Sequence, residues 1–274
     1  MFFYKLKIFL LRLIGYEKPI RVAILKYLTL KFKTFRPHYE TILLESCYEA
    51  KLLGYDEVSV IELGVAGGNG VIALEKYKLK IQKLLNIKIN IYGFDTGEGL
   101  PKTNSIYDLP FYWKENNYKV NKNILKNKIN SKIYYGDIKN TIDKFIITPP
   151  KNIVSIFFDL DLYTSTKNFL DQIYKIEDFL CPRVYCYFDN IFCPENWISQ
   201  FNGELLAINE FNQQNNNIKI GHSVDSLKDF RFPLAKNLLY MMHVFNHKDY
   251  NKYIGHDTTE THSYGNSTIT DRIF

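Results

Sequence analysis

The chain is 274 residues long, 46% hydrophobic and 16% aromatic, with a net charge of +6. That hydrophobic share is enough for a full core and excludes disorder as a class, and the length fits one large domain, or a domain with an appendage. The 35 Lys and Arg are spread along the chain without forming a block, so the charge gives no support to a nucleic-acid partner.

Taken in chain order, residues 1–14 are apolar and basic. Phe2, Phe3, Leu6, Phe9, Leu10, Leu13 and Ile14 share one broad helical face, and Lys5, Lys7 and Arg12 interrupt the apolar runs. The segment is too short to span a bilayer, and no small-residue cleavage site follows it. It reads as a basic amphipathic helix on a membrane surface or as a helix packed on the domain or a partner subunit, and the second reading is preferred. Residues 1–50 read as an N-terminal helical cap, with Pro19 and Pro37 at breaks or first turns, ahead of a main domain over 51–274. Within the cap, Leu43, Cys47, Ala50 and Leu53 give 39–53 helical spacing that stops at Gly54.

Residues 58–63 form the first expected strand, and 58–70 read Val-Ser-Val-Ile-Glu-Leu-Gly-Val-Ala-Gly-Gly-Asn-Gly. An apolar strand ends near the acid Glu62, and a turn carrying Gly64, Gly67, Gly68 and Gly70 leads into a helix over 71–85. Glycines let backbone approach a ligand closely, and such a loop after the first strand of an α/β sheet is where a nucleotide-like ligand sits. The spacing Glu-x-Gly-x-x-x-Gly-x-Gly differs from the dinucleotide fingerprint and from the P-loop. It resembles the first motif of class I S-adenosylmethionine (SAM)-dependent methyltransferases.

Strand and helix patterns then alternate. Strands are expected at 89–95, 132–135, 154–159 and 183–189, with edge strands at 219–222 and 237–245. Helices are expected at 120–129, 138–146, 165–179 and 203–214. This is an α/β pattern, a Rossmann-like, doubly wound, mostly parallel seven-stranded sheet. Residues 101–130 are polar, aromatic and irregular, with the composition of an active-site loop or lid. Cys181, Cys186 and Cys193 are spaced C-x4-C-x6-C, not as the paired C-x2-C of a zinc site. With Cys47 they read as buried free thiols in a reducing, cytoplasmic compartment, at the inner face of the membrane if residues 1–14 bind lipid. His243 and His247 have the spacing of a metal pair on a helix, but they fall on or beside an expected strand. His222 is the best histidine candidate, and no histidine is assigned a catalytic role.

Acids recur where the expected strands end: Glu62, Asp95, Asp137, Asp159 and Asp161, and Asp189. In a doubly wound sheet these ends form one rim, the place where ligands bind. Carboxylates gathered there repel one another unless they meet hydroxyls, amines or a cation. Each could singly be a helix N-cap, Asp137 above all.

The stretch Phe94-Asp95-Thr96-Gly97-Glu98-Gly99-Leu100-Pro101 resembles the second motif of the macrocin O-methyltransferase family. Asp159-Leu160-Asp161-Leu162-Tyr163-Thr164-Ser165-Thr166 is similar to that family's Asp-x-Asp-x-Tyr-x-Ser-Thr signature. Phe188-Asp189-Asn190 corresponds to its paired acids after the fifth strand, and Phe201-Asn202-Gly203-Glu204 to Asn209-Glu210-Phe211 to its tail. The likeness covers about residues 40–220. Two departures stand out: Gly97 replaces a frequent Phe, and Asn190 a frequent Asp. Asp-Asn at the latter place resembles the catechol O-methyltransferase group.

The resemblance implies methyl transfer from SAM to a hydroxyl of a sugar or other vicinal-diol small molecule, assisted by Mg²⁺. On the cofactor side, Glu62 would orient the glycine loop or the methionine amine, Gly64 and Gly68 would admit close approach, Asp95 would hold the ribose and Asp137 the adenine amine. Asp161, Asp189 and Asn190 would bind the metal, with Asp159 as an alternative ligand. Whichever of Asp159 and Asp161 lies closer to the acceptor hydroxyl would act as general base. Ser165 and Thr166 read as the first turn of a helix, and Tyr163 as a site or core residue. The expected partners are a glycosyl acceptor and a second copy of the chain, with no nucleic acid. The alternatives are a catechol-type O-methyltransferase and a non-catalytic, membrane-associated SAM-fold binding protein. An oxygenase would need a His-x-Asp/Glu iron set, which the rim motifs lack.

Overall fold

Runs rich in Val, Ile, Phe and Tyr become strands because such side chains suit a pleated surface covered on both faces. In the computed structural model, which describes residues 35–191, 197–223 and 238–255, the strands are β1 (Glu57–Leu63), β2 (Lys88–Asp95), β3 (Lys132–Tyr135), β4 (Ile153–Phe158), β5 (Leu180–Phe188), β6 (Ile218–His222) and β7 (Leu239–Val244). The helices are α1 (Pro37–Leu52), α2 (Asn69–Leu85), α3 (Lys122–Lys126), α4 (Ile138–Ile146), α5 (Tyr163–Leu170) and α6 (Gly203–Gln214). The reading of residues 1–14 as a membrane or interface helix, and Cys193, lie outside the described residues. Among those described, no helix is long and apolar enough to cross a membrane.

One seven-stranded sheet runs in the order β3-β2-β1-β4-β5-β7-β6. The first five strands pair in parallel, and β7 is antiparallel to both β5 and β6. The chain winds from β1 outward to β3, then returns to lay β4 on the other side of β1. That reversal opens a crevice above the C-terminal ends of β1 and β4, where doubly wound sheets bind ligands.

Helices cover the sheet. Pro37 starts α1, whose missing N–H costs nothing in a first turn. Tyr39, Ile42, Leu43 and Cys47 on α1 are buried in the same core as the strands, and Tyr39 stacks on Phe157 of β4 at 4.4 Å between centroids. Phe158 and Phe188, on neighbouring strands, stack at 4.2 Å. Cys47, Cys181 and Cys186 are buried free thiols.

Two elements depart from their expected bounds. Residues 165–179 do not form one helix: α5 stops at Leu170, and two 3₁₀ turns follow at Ile173–Lys175 and Glu177–Phe179. Phe169, Leu170, Ile173 and Ile176 are buried, and their helix-like spacing hides the break. β5 begins at Leu180, with Pro182 inside it. The β4–β5 register shifts between Ile153 and Ser155, an irregularity that tolerates a residue without an N–H.

Candidate active site

The sequence around Gly64 dictates a loop that runs tight against β4. Gly64 has φ +83, and a Cβ there would lie 1.8 Å from the Asp159 carbonyl oxygen, so no other residue fits. Gly68, at φ +87, starts α2. Around this loop lies a cleft of about 500 Å³, walled by Gly64, Ala66, Gly67 and Asn69, by Asp95, Thr96 and Gly99 after β2, by Asp159, Asp161 and Ser165 after β4, and by Asp189 and Asn190 after β5. Leu100, Pro101, Tyr112, Trp113 and Tyr118 line it from the irregular segment, and Arg36 from the start of α1.

Asp95 is set by the backbone it closes. Its Oδ2 accepts from Ala66 N–H at 2.8 Å and its Oδ1 from Gly97 N–H at 2.6 Å, so it joins the glycine loop to the turn after β2. Gly97 has φ +78, a backbone conformation that strains any residue with a Cβ. The loop thus needs glycine where the resembling family often has Phe.

Asp161 takes φ +62, a left-handed conformation that short polar side chains tolerate best among non-glycine residues. It is held reciprocally: Asn190 Nδ2 donates to its Oδ1 at 2.7 Å, and its own N–H donates to Asn190 Oδ1 at 3.2 Å. Asp189 Oδ1 accepts from Tyr187 at 2.6 Å, and Asn190 N–H donates to Glu204 Oε2 at 3.1 Å. Burial and the nearby Asp189 push Asp161 up to about 7. Asp159 is raised too, by burial and by Asp189 and Asp161. Repelling acids in a half-dry cleft hold protons near neutral pH.

Not every expected site residue lines the cleft. Glu62 is buried beneath the start of α2, where it accepts from the Tyr39 hydroxyl at 3.2 Å. Burial, then Asp159, push it up to about 8. A Cβ at Gly70 would lie 1.6 Å from its Oε1. Gly68 packs toward Leu125. Asp137 is exposed and caps α4, its Oδ1 accepting from Lys139 N–H at 2.8 Å. Tyr163 donates to Glu210 at 2.8 Å. His222 is exposed and is not among the residues lining the cleft. His243 lies on β7 with its Nδ1 at 2.9 Å from the Tyr250 hydroxyl.

Sequence reasoning read residues 101–130 as an aromatic active-site loop, and Tyr112, Trp113 and Tyr118 of that segment line the cleft; it missed Arg36 and Glu204's role behind Asn190. Glu204 is fully buried, its Oε1 finds no partner among the described residues, and burial, with Asp189 next, raises its pKa well above the ordinary range. Its place at the end of the Phe201-Asn202-Gly203-Glu204 stretch was the available signal.

The donor set bears on a metal. Among the described residues, no group of three or more His, Cys, Asp or Glu side chains stands ready around an ion. The chemistry is nevertheless that of a hard cation: carboxylates and a carboxamide oxygen, with no thiol or imidazole among the described residues of the cleft wall. For SAM, the glycine loop, the open space beside Gly67 and the acid after β2 make a cradle of suitable polarity.

No protein-family model matches the chain, and no curated protein sequence does. Among solved structures, the calicheamicin methyltransferase CalS11 is 18% identical with a TM-score of 0.51, over 83% of this chain and 92% of its own. The O-methyltransferase NovP is 15% identical with a TM-score of 0.49, over 75% and 78%. An apo structure of CalS11, described as a TDP-rhamnose 3′-O-methyltransferase, is 18% identical with a TM-score of 0.42, over 76% and 81%. The likeness to CalS11 is one of fold: the chain has the Rossmann-like fold of the class I SAM-dependent methyltransferases.

Proposed function

We propose that this chain is a SAM-dependent, Mg²⁺-assisted O-methyltransferase acting on a hydroxyl of a sugar or other vicinal-diol small molecule. One observation carries the reading: the glycine loop after β1 and the acids after β2, β4 and β5 border a single cleft at the switch point of the sheet. The sugar preference rests on the macrocin-type motifs, and CalS11, a calicheamicin methyltransferase, shares the fold.

Bound SAM supplies a methyl group on a sulfonium, and bound Mg²⁺ lowers the pKa of adjacent acceptor hydroxyls. The chain does the rest. Asp95 accepts from the ribose hydroxyls, since a carboxylate has lone pairs beyond those its two backbone donors use. Gly64 and Gly67 bring backbone against the cofactor, Glu62 and Gly68 shape the loop from behind, and the second oxygen of Asp137 accepts from the adenine amine. Asp161, Asp189 and the Asn190 carboxamide oxygen would hold the metal. The acceptor proton passes to whichever of Asp161 and Asp159 lies closer to the acceptor hydroxyl, since a general base must stand within hydrogen-bond reach of the proton it takes. Tyr112, Trp113 and Tyr118 shield the reacting atoms from water.

The test is transfer of radiolabelled methyl from SAM to a panel of free sugars, nucleotide sugars and catechols, with and without Mg²⁺. Label in a sugar hydroxyl, reduced roughly 10²-fold or more by Asp161→Asn, is expected. Label only in catechols would move the assignment to the catechol-type alternative, which Asn190 favours. No transfer by protein that binds SAM would favour the binding-protein alternative.

A further inference from the structure

We infer that Arg36 binds the α-carboxylate at the methionine end of SAM, which rests on the methyltransferase reading above. Among the described residues Arg36 is the one cationic side chain lining the cleft. Everything charged facing it is acidic: Glu62 from β1, Asp159 from the end of β4 and Asp189 from the end of β5. No salt bridge joins its guanidinium to an Asp or Glu among the described residues. Its guanidinium lies instead over the Tyr39 ring, 5.0 Å from the centroid, a contact that fixes the side chain and leaves its planar fork of donors for an anion.

The order of strands says which anion. Asp95 ends β2, and the glycine loop follows β1. A cofactor with its ribose on Asp95 and its adenine toward β3 must send its amino acid end across β1 toward β4. Arg36 stands on that side. The surrounding acids suit the α-ammonium group there, and Arg36 suits the carboxylate beside it. A guanidinium can grip a carboxylate with two parallel N–H donors. The backbone agrees: Arg36 has φ +49 and ψ 63, directly before Pro37. Left-handed conformations of non-glycine residues persist where surrounding structure enforces them, and they gather at ligand sites.

The experiment is calorimetric titration with S-adenosylhomocysteine and with S-adenosyl-3-thiopropylamine, the same molecule without its carboxylate. Unsubstituted protein should bind S-adenosylhomocysteine about 10- to 100-fold more tightly, the range of a charge-assisted hydrogen bond. Arg36→Gln should weaken S-adenosylhomocysteine by about that factor, leave the thiopropylamine within about 2-fold, and so erase the preference. Arg36→Lys should retain part of it. Equal weakening of both ligands, or no preference in the unsubstituted protein, would overturn the assignment even if Arg36→Gln failed to fold. Binding of neither ligand by folded, unsubstituted protein would overturn the cofactor reading itself.

Discussion

Three buried carboxyl groups give the site its electrostatic character. Glu62 is pushed up to about 8, chiefly by burial, Asp161 to about 7, by burial and Asp189, and Glu204 well above the ordinary range, by burial first. An unfolded carboxyl titrates near ~4. Groups raised in the folded state stabilise it fully below that value, and the stability is lost as pH rises through the folded pKa. The ligand-free protein should therefore lose stability between pH 6 and pH 8.5, with Glu62 alone contributing ~3 kcal/mol of that loss. Glu62→Gln and Glu204→Gln should each reduce that loss, as read from urea midpoints at the two pH values; unchanged slopes would contradict the burial argument. His38 acts in the other direction at lower pH. Burial, and then Arg36, lower it to about 4, so its contribution is intact above ~6.5 and fades as pH falls toward about 4. At this scale the sequence made Asp95, Asp159, Asp161 and Asp189 readable because each follows an apolar strand. Arg36 was not readable, because it lies 26 residues before Glu62 in sequence and only the packing of α1 on the sheet brings the two together.

Asp108 anchors the irregular segment between β2 and α3 to the first turn of α5. Asp108 is fully buried. Its Oδ1 accepts from Thr164 N–H at 2.8 Å, and its Oδ2 from the Thr164 hydroxyl at 3.1 Å and from Ser105 N–H at 3.3 Å. It thereby satisfies a donor in the first turn of α5 that the helix cannot satisfy itself. Asp108→Ala should cost about 2–3 kcal/mol and speed hydrogen exchange across residues 100–120 and the first turn of α5, with β1 and β2 amides unchanged. Exchange accelerated uniformly over the chain would contradict a local anchoring role. The strands were legible because each is a short apolar run bounded by turn residues. The segment carrying Asp108 was legible only as a loop, since its anchoring contact reaches 56 residues ahead to Thr164. Helix 120–129 shortens to Lys122–Lys126, with Asn121 accepting from Ile124 N–H at one end and Asn127 at the other. Asn at both ends favours caps over helix interior.

For the molecule as a whole, winding the sheet from β1 to β3 and back to β4 brings acids distant in sequence onto one rim. The aromatic residues Tyr112, Trp113 and Tyr118 close one side of that rim. Outside it, Phe111 and Trp197 are exposed and meet edge to face at 5.4 Å. The central claim is that the cleft holds SAM with its ribose on Asp95. The most direct measurement is calorimetric binding of S-adenosylhomocysteine to the purified chain beside Asp95→Ala. Micromolar binding, weakened about 100-fold or more in the variant, is the predicted result. Failure of folded, unsubstituted protein to bind, or full binding by Asp95→Ala, would contradict the account.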